Sequence, residues 1–293
     1  MKQIDAVLIA GPTASGKSKL ALELALAHDG VVINADSIQV YAGLRILTAR
    51  PSPDEMQGIS HRLYGHADPT QPYSTGIWLR QAADELESVL TSGKLPIFVG
   101  GTGLYFRALT QGLDDMPEIP AELRQDLRDQ MAERGPAALH QELLLLDAVA
   151  AQRIKASDSQ RILRALELIR TSGKALDTLQ AGAGRALLSG RHLRKIVLVP
   201  ERAVLRQRIA VRFERMMQEG AMQEALDFAA VPGAMDHSAA LAIGVREMLA
   251  HARGETRLEQ AVQLAITRTR QYAKRQETWF RNQFDESWER MVT

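Results

Sequence analysis

The chain has 293 residues, 45% hydrophobic and 24% charged, enough to bury one good core and a smaller appended domain. Its formal net charge of +1 excludes a polycationic protein that grips nucleic acid through the field of the whole molecule, so a nucleic-acid partner must be met by local basic patches. With no cysteine there is no disulfide frame, zinc finger or thiol nucleophile, and a reducing cytoplasm is the expected compartment.

In chain order, MKQIDAVLIAGP reads as a strand rather than a signal peptide, because its apolar run is short, broken by Asp5 and stopped by Gly11-Pro12. No segment approaches the roughly 18 consecutive apolar residues of a membrane span, so no membrane partner is expected. The strand AVLIA is followed by the helical KLALELALAH, the strand GVVINAD, a helix around WLRQAADELESVL and the strand LPIFVGG. Strands separated by helices imply right-handed crossovers and a parallel sheet covered on both faces. From residue 117 to 180 the pattern is helix after helix, punctuated by Pro117, Pro120 and Pro136. RKIVLVP at 194–200 returns the chain to the sheet, and the remainder reads as helical and basic to the end. The expected organisation is an α/β core, 1–116 with 194–293, and an all-helical insertion over 117–193. No apolar stripe is long enough for a dimer seam, so a monomer is expected.

The segment Gly11-Pro12-Thr13-Ala14-Ser15-Gly16-Lys17-Ser18 matches G-x-x-x-x-G-K-[ST] between a strand and a helix, the context that gives the pattern a mechanism. Gly11 and Gly16 let successive N–H groups converge on one anion, and the helix beginning near Lys17 adds its positive end. Lys17 supplies a mobile charge and Ser18 a hydroxyl suited to Mg²⁺. The expected fold is therefore a P-loop NTPase-like parallel sheet flanked by helices. The partners of an ATPase or GTPase are missing: LPIFVGG ends in two glycines and a threonine rather than an acid, and there is no N-K-x-D segment. The acid comes instead after the other buried strand, in VVINADSIQVY, where Asp36 sits at a carboxyl end, the edge at which open α/β sheets place ligands. Asp36 also suits capping of the following turn.

GPTASGKS, NADSIQVY, VGGTGLYFRAL, DSQRILRALE and TRQYAKRQETWFR, in this order over nearly the whole length, resemble the bacterial tRNA dimethylallyltransferases. The resemblance implies transfer of a dimethylallyl group from dimethylallyl diphosphate to N6 of adenosine 37, beside the anticodon of tRNAs that read codons starting with U. It implies that Asp36 is the general base for the N6 proton and that Thr102 helps hold the amine; a weakly nucleophilic amine calls for a carboxylate within hydrogen-bond reach. Thr13, Gly16, Lys17, Ser18 and the Mg²⁺ would bind the diphosphate with Arg212, neutralising charge on the leaving oxygen. By the same resemblance, Asp36, Ser37, Ile38, Gln39, Thr102, Arg124, Gln160, Arg161, Ile162, Leu163, Arg164, Leu241, Ala242, Ile243, Gly244, Val245 and Arg246 fall where the family meets the tRNA anticodon stem-loop.

Independently, TRTRQYAKRQETWFR interleaves five basic residues with Tyr272, Trp279 and Phe280, a mixture suited to phosphates and unstacked bases. The aromatics are expected mostly in the core, with Arg270, Lys274 and Arg281 exposed. A duplex would hide adenine N6, so the target is a loop base drawn out of its stack. The chain departs from the family pattern at Arg45-Ile46-Leu47-Thr48-Ala49-Arg50-Pro51, where D-I-G-T-A-K-P is expected, at His61-Arg62-Leu63-Tyr64-Gly65 for H-H-L-x-D, and at Gly244-Val245-Arg246-Glu247 for G-Y-R-E. The seven histidines show no paired metal spacing, which leaves Mg²⁺ as the expected metal. A P-loop small-molecule kinase, a prenyltransferase acting on free nucleotide and a non-catalytic RNA-binding module with a relic loop are the alternatives.

Overall fold

The computed structural model describes residues 4–114, 116–180 and 184–293. The first apolar runs form β1 (Ala6–Ala10) and β2 (Gly30–Asn34), separated by α1 (Lys17–His28), and every residue of both strands is buried. That is the signature of interior strands covered on two faces. A short α2 (Pro53–Met56) and a two-residue β3 (His61–Arg62) precede α3 (Thr75–Thr91), β4 (Leu95–Gly100) and α4 (Gly103–Gln111). Helices α5 (Ala121–Leu146), α6 (Ala148–Arg153), α7 (Ser159–Ser172) and α8 (Leu176–Gln180) follow, and the chain then returns to the sheet as β5 (Leu193–Val199).

After β5 come α9 (Arg202–Gln218), α10 (Ala221–Ala230), two 3-10 turns, α11 (Val245–Ala252), α12 (Leu258–Gln283) and β6 (Glu289–Val292). The expectation of helix to the end is thus corrected, because β6 pairs with β5 as a sheet edge. ERMV is mostly exposed, with only Met291 packing partly against the sheet's core, so the edge strand leaves no apolar run to read.

The six strands lie in the order β3-β2-β4-β1-β5-β6, with every pairing parallel. Consequently the carboxyl ends of β2, β4 and β1 stand side by side on one edge. That edge places the acid turn after β2, the Gly101-Thr102 turn after β4 and the phosphate loop after β1 in a row. Val7, Ile9, Val32, Ile97, Val99 and Ile196 form the sheet's core against Ala21 and Ala25 of α1.

The chain divides into two compact units, 1–110 with 188–293, and 111–187. These limits lie six residues ahead of the expected 116/117 and 193/194. The physical reason is local pairing: Gly184 N donates to Leu113 O within the inserted unit, and Leu188 N donates to Leu109 O within the sheet unit. The inserted unit has its own core of Leu127, Leu139, Leu143, Ile162, Leu166 and neighbours. Gly135, at φ 75°, breaks α5 just before Pro136. Buried Asp147 fastens the unit by accepting from Ala150 N and Leu176 N, both at 2.9 Å, bonds that hold its pKa below the ordinary value. Among the described residues no helix is long and apolar enough to cross a membrane.

Candidate active site

The phosphate loop turns through two left-handed residues, Ala14 (φ 63°) and Gly16 (φ 92°), before α1 begins. Gly11 has no room for a side chain: a Cβ there would lie 2.6 Å from Ser15 Oγ. That hydroxyl is buried and has no protein partner among the described residues. Lys17 folds back over the loop, its Nζ donating to Pro12 O at 3.2 Å. Burial lowers its pKa to about 8, Asp36 pulling it upward and Arg212 pushing it further down. Ser18 is exposed at the first turn of α1. From α9, Arg212 reaches Thr13 Oγ1 at 3.5 Å and Ala49 O at 3.3 Å. Burial lowers its pKa, while Glu55 and Asp36 act in the opposite sense.

The acid turn is built around Asn34, fully buried at the end of β2. Its amide accepts from Asp36 N and donates to Asp36 O and Leu63 O, each at 3.0 Å. Asp36 divides its carboxylate between two tasks. Oδ1 accepts from Ile38 N at 3.0 Å and Gln39 N at 3.4 Å, the capping expected of an Asp before a turn. Oδ2 holds no hydrogen bond among the described residues and faces Gly101, where a Cβ would lie 3.3 Å away. Thr102 Oγ1 accepts from Ser37 N at 2.9 Å and donates to Ser37 Oγ at 3.2 Å, so it fastens the β4 turn to the acid turn. The side chain of Gln39 is spent within the protein, its Nε2 donating to Thr48 O and Ala49 O.

One residue of this edge was not legible as a site residue. Gln276 of α12 is buried at 6% exposure; its Oε1 accepts from Thr13 N and its Nε2 donates to Gly101 O, each at 2.9 Å. The available signal was an amide on the apolar stripe of α12, in helical register with buried Ala273 and Phe280.

The loop that carries the departures around residue 45 is fastened from α10. Glu224 of α10 accepts from Arg45 N and Ile46 N at 2.7 Å and from Leu47 N at 2.8 Å, pinning this loop by three backbone bonds. Arg50 occupies the space a side chain at residue 65 would need: a Cβ on Gly65 would fall on its Nη1. The guanidinium end of Arg50 thus lies directly against Gly65, and its Nη1 also donates to Tyr41 O at 3.3 Å. Leu47 lies over Gly244, its Cδ2 being 2.5 Å from where a Cβ would stand. Arg45, Arg50, Arg212 and Arg215, with Glu55 and Glu219, line a cavity of about 370 Å³ beside the loop.

For the residues expected at tRNA, the outcome is mixed. In the inserted unit Gln160, Arg161 and Arg164 are exposed and Arg124 is half-buried, Arg124 and Arg164 both meeting Glu167, at 3.8 and 3.2 Å. Ile162 is fully buried and Leu163 packs against the same core, because the helical period turns them inward from the arginine face. In the sheet unit Leu241 and Arg246 are exposed and Ile243 is half-buried, whereas Ala242, Gly244 and Val245 are buried. The side chains of Ile162, Ala242 and Val245 lie in the core, leaving the arginines of these segments at the surface. Buried Glu247 accepts from Gly244 N at 2.9 Å and pairs with Arg268, which holds this segment in place. In α12, Phe280 is buried, Tyr272 and Trp279 are half-buried, and Lys274 and Arg281 are exposed; Arg270 is half-buried rather than exposed, its Nη2 3.5 Å from Arg206 O.

Comparison with known proteins places this geometry among relatives. The family model for IPP transferase matches residues 39–283. A tRNA dimethylallyltransferase of Rhizobium johnstonii is 50% identical over 292 residues, covering 100% of this chain and 98% of its own. The crystal structure of a full-length tRNA isopentenylpyrophosphate transferase from Bacillus halodurans is similar with a TM-score of 0.70 at 34% identity, over 99% of this chain and 90% of that one. A eukaryotic dimethylallyltransferase captured acting on tRNA gives a TM-score of 0.76 at 28% identity, over 95% of this chain and 70% of that one.

Proposed function

The chain belongs to the IPP transferase family, and from that premise we propose that it transfers a dimethylallyl group from dimethylallyl diphosphate to N6 of adenosine 37 in tRNAs reading codons that start with U. The observation that carries this reading is Asp36. Its Oδ1 is consumed by the turn, while its Oδ2 is left without a hydrogen bond among the described residues, on the same strand edge as the phosphate loop. A carboxylate oxygen without a partner beside a phosphate cradle suits a base that takes a proton from an amine as a diphosphate departs.

In this reading the N6 lone pair forms the new bond to C1 of the prenyl group, the C1–O bond to diphosphate breaks, and the N6 proton goes to Asp36 Oδ2. Thr102, fixed to Ser37, holds the amine edge. The loop N–H groups, Lys17 and Arg212 take the growing negative charge on the leaving pyrophosphate. An arriving diphosphate favours the charged form of Lys17, which burial disfavours. Among the described residues no group of three or more His, Asp or Glu could hold a metal by itself. Ser18 offers an exposed hydroxyl oxygen at the cradle, so a Mg²⁺ would take Ser18 and mainly diphosphate oxygens as its ligands. When bound, such an ion would neutralise charge on the leaving group. The exposed arginines of α7 and of the 241–246 segment suit the phosphates of an anticodon stem-loop, and we read the protein as a cytoplasmic monomer.

The test is to incubate the protein with labelled dimethylallyl diphosphate, Mg²⁺ and unmodified tRNA, in parallel with ATP and small acceptors. Label is expected in tRNA, on the adenosine beside the anticodon. Label absent from tRNA, with ATP consumed on a small acceptor, would establish the kinase alternative instead.

A further inference from the structure

We propose that Gln276 is a positioning residue that sets the spacing between the donor and acceptor halves of the active site. The inference rests on the prenyltransfer reading above. The two reacting groups are held by different turns: the diphosphate by the loop after β1, the adenine amine by the turns after β2 and β4. Adjacent strands fix where those turns begin, but not how far apart their tips settle. Gln276 joins the tips directly, accepting from Thr13 N in the phosphate loop and donating to Gly101 O, one residue before Thr102.

Three observations make this a specific device. The amide orientation is dictated by its partners, since a backbone N–H can face only Oε1 and a carbonyl only Nε2. Both partners are main-chain groups, so neither can rotate away and leave the bond unmade without moving its turn. Finally, Gly101 has no Cβ, and one placed there would fall on Gln276 Nε2 while lying 3.3 Å from Asp36 Oδ2. The amide and the free oxygen of the base therefore approach the same glycine, and the path from Gln276 to the acid turn runs through Gly101 and Thr102 to Ser37. Because Thr13 N is engaged by Gln276, it is withdrawn from the phosphate cradle, and the glutamine acts on the donor through the loop's position.

The experiment compares the full-length parent with Gln276→Leu, which lacks both bonds, and Gln276→Glu, which keeps an acceptor for Thr13 N but loses the donor to Gly101 O. Single-turnover transfer to tRNA is measured per folded molecule, alongside separate equilibrium binding of dimethylallyl diphosphate and of tRNA. The expected result is a fall in the transfer rate of about 10- to 100-fold, the cost of a misplaced reacting pair, with both binding constants within about threefold of the parent. Combining either variant with Thr102→Ala should cost little beyond the larger single loss, because both act on one turn.

Transfer within about threefold of the parent in Gln276→Glu would overturn the proposal and leave Gln276 as core packing. A donor affinity that falls in step with the rate would overturn it too, reducing the residue to a brace of the phosphate loop. Gln276→Glu makes the test possible should Gln276→Leu not fold. Failure of the parent itself to label tRNA would count against the prenyltransfer reading, and is thereby distinguished from variants indifferent to Gln276.

Discussion

The phosphate loop and the acid turn meet on one edge of the sheet, yet they are made in opposite ways. The loop is continuous in sequence: residues 11–18 carry their own glycines, their own lysine and the start of their own helix. The acid turn is assembled from far-separated segments, with Asn34 folding the backbone around Asp36, Thr102 tying Ser37 from the next strand, and Leu63 closing Asn34 from another loop. Binding a phosphate needs only convergent N–H groups, which one short segment can supply. Removing a proton from a chosen atom requires an acceptor held still against a second substrate, and that takes several segments.

The comparison predicts different losses at the two ends. The largest is at Asp36: Asp36→Asn retains an acceptor for Ile38 N and Gln39 N but cannot take a proton, so turnover should fall by about 10² to 10⁴ with unchanged donor affinity. Steady-state kinetics with calorimetric donor binding would check this, and a parent-like rate in Asp36→Asn would reduce the carboxylate to a cap. At the loop the loss should appear in binding: Lys17→Met should weaken donor affinity by about 10- to 100-fold, the worth of a charged hydrogen bond. The parent should also bind donor less well as pH rises through about 8, where free Lys17 sheds its proton, and Lys17→Arg should flatten that dependence. The sign for stability is opposite to that for binding. Lys17 is held below its ordinary value, so the unfolded chain binds the extra proton between about 8 and 10.5 and stability from this group rises with pH over that window.

The smallest effect concerns the frame shared by the two ends. Gly65→Ala should destabilise the protein by about 1–2 kcal/mol, because residue 65 stands at φ 59°, a left-handed conformation that costs a residue with a Cβ. Thermal melts of parent and variant would measure the loss, and an unchanged midpoint would show that the backbone there absorbs the strain.

Much of this was legible in residue order. The strand-helix alternation, the glycine-lysine loop and the acid after the second strand each rest on interactions within a few residues, where spacing and geometry are nearly the same thing. Ile162 shows what residue order leaves open: the segment 160–164, taken whole from the resemblance, lies on a helix, whose period turns Ile162 into the core and the arginines outward. β6 was invisible because a four-residue edge strand that packs only Met291 against the core imprints no pattern on its composition. Glu224 and Gln276 were invisible for another reason, since their partners are backbone groups, which carry no residue identity.

The amino-acid sequence by itself determined that this protein carries a glycine-lysine loop between a strand and a helix, that its sheet is parallel, and that an acid stands at the second strand's end, because those follow from local backbone freedom, hydrophobic period and the order of elements. Tertiary structure decided which oxygen of Asp36 the turn takes up, which glutamine spans the two turns, and which glutamate fastens the loop around residue 45. Those are questions of distance between segments tens to hundreds of residues apart, and only the closed sheet and its packed helices bring the atoms together.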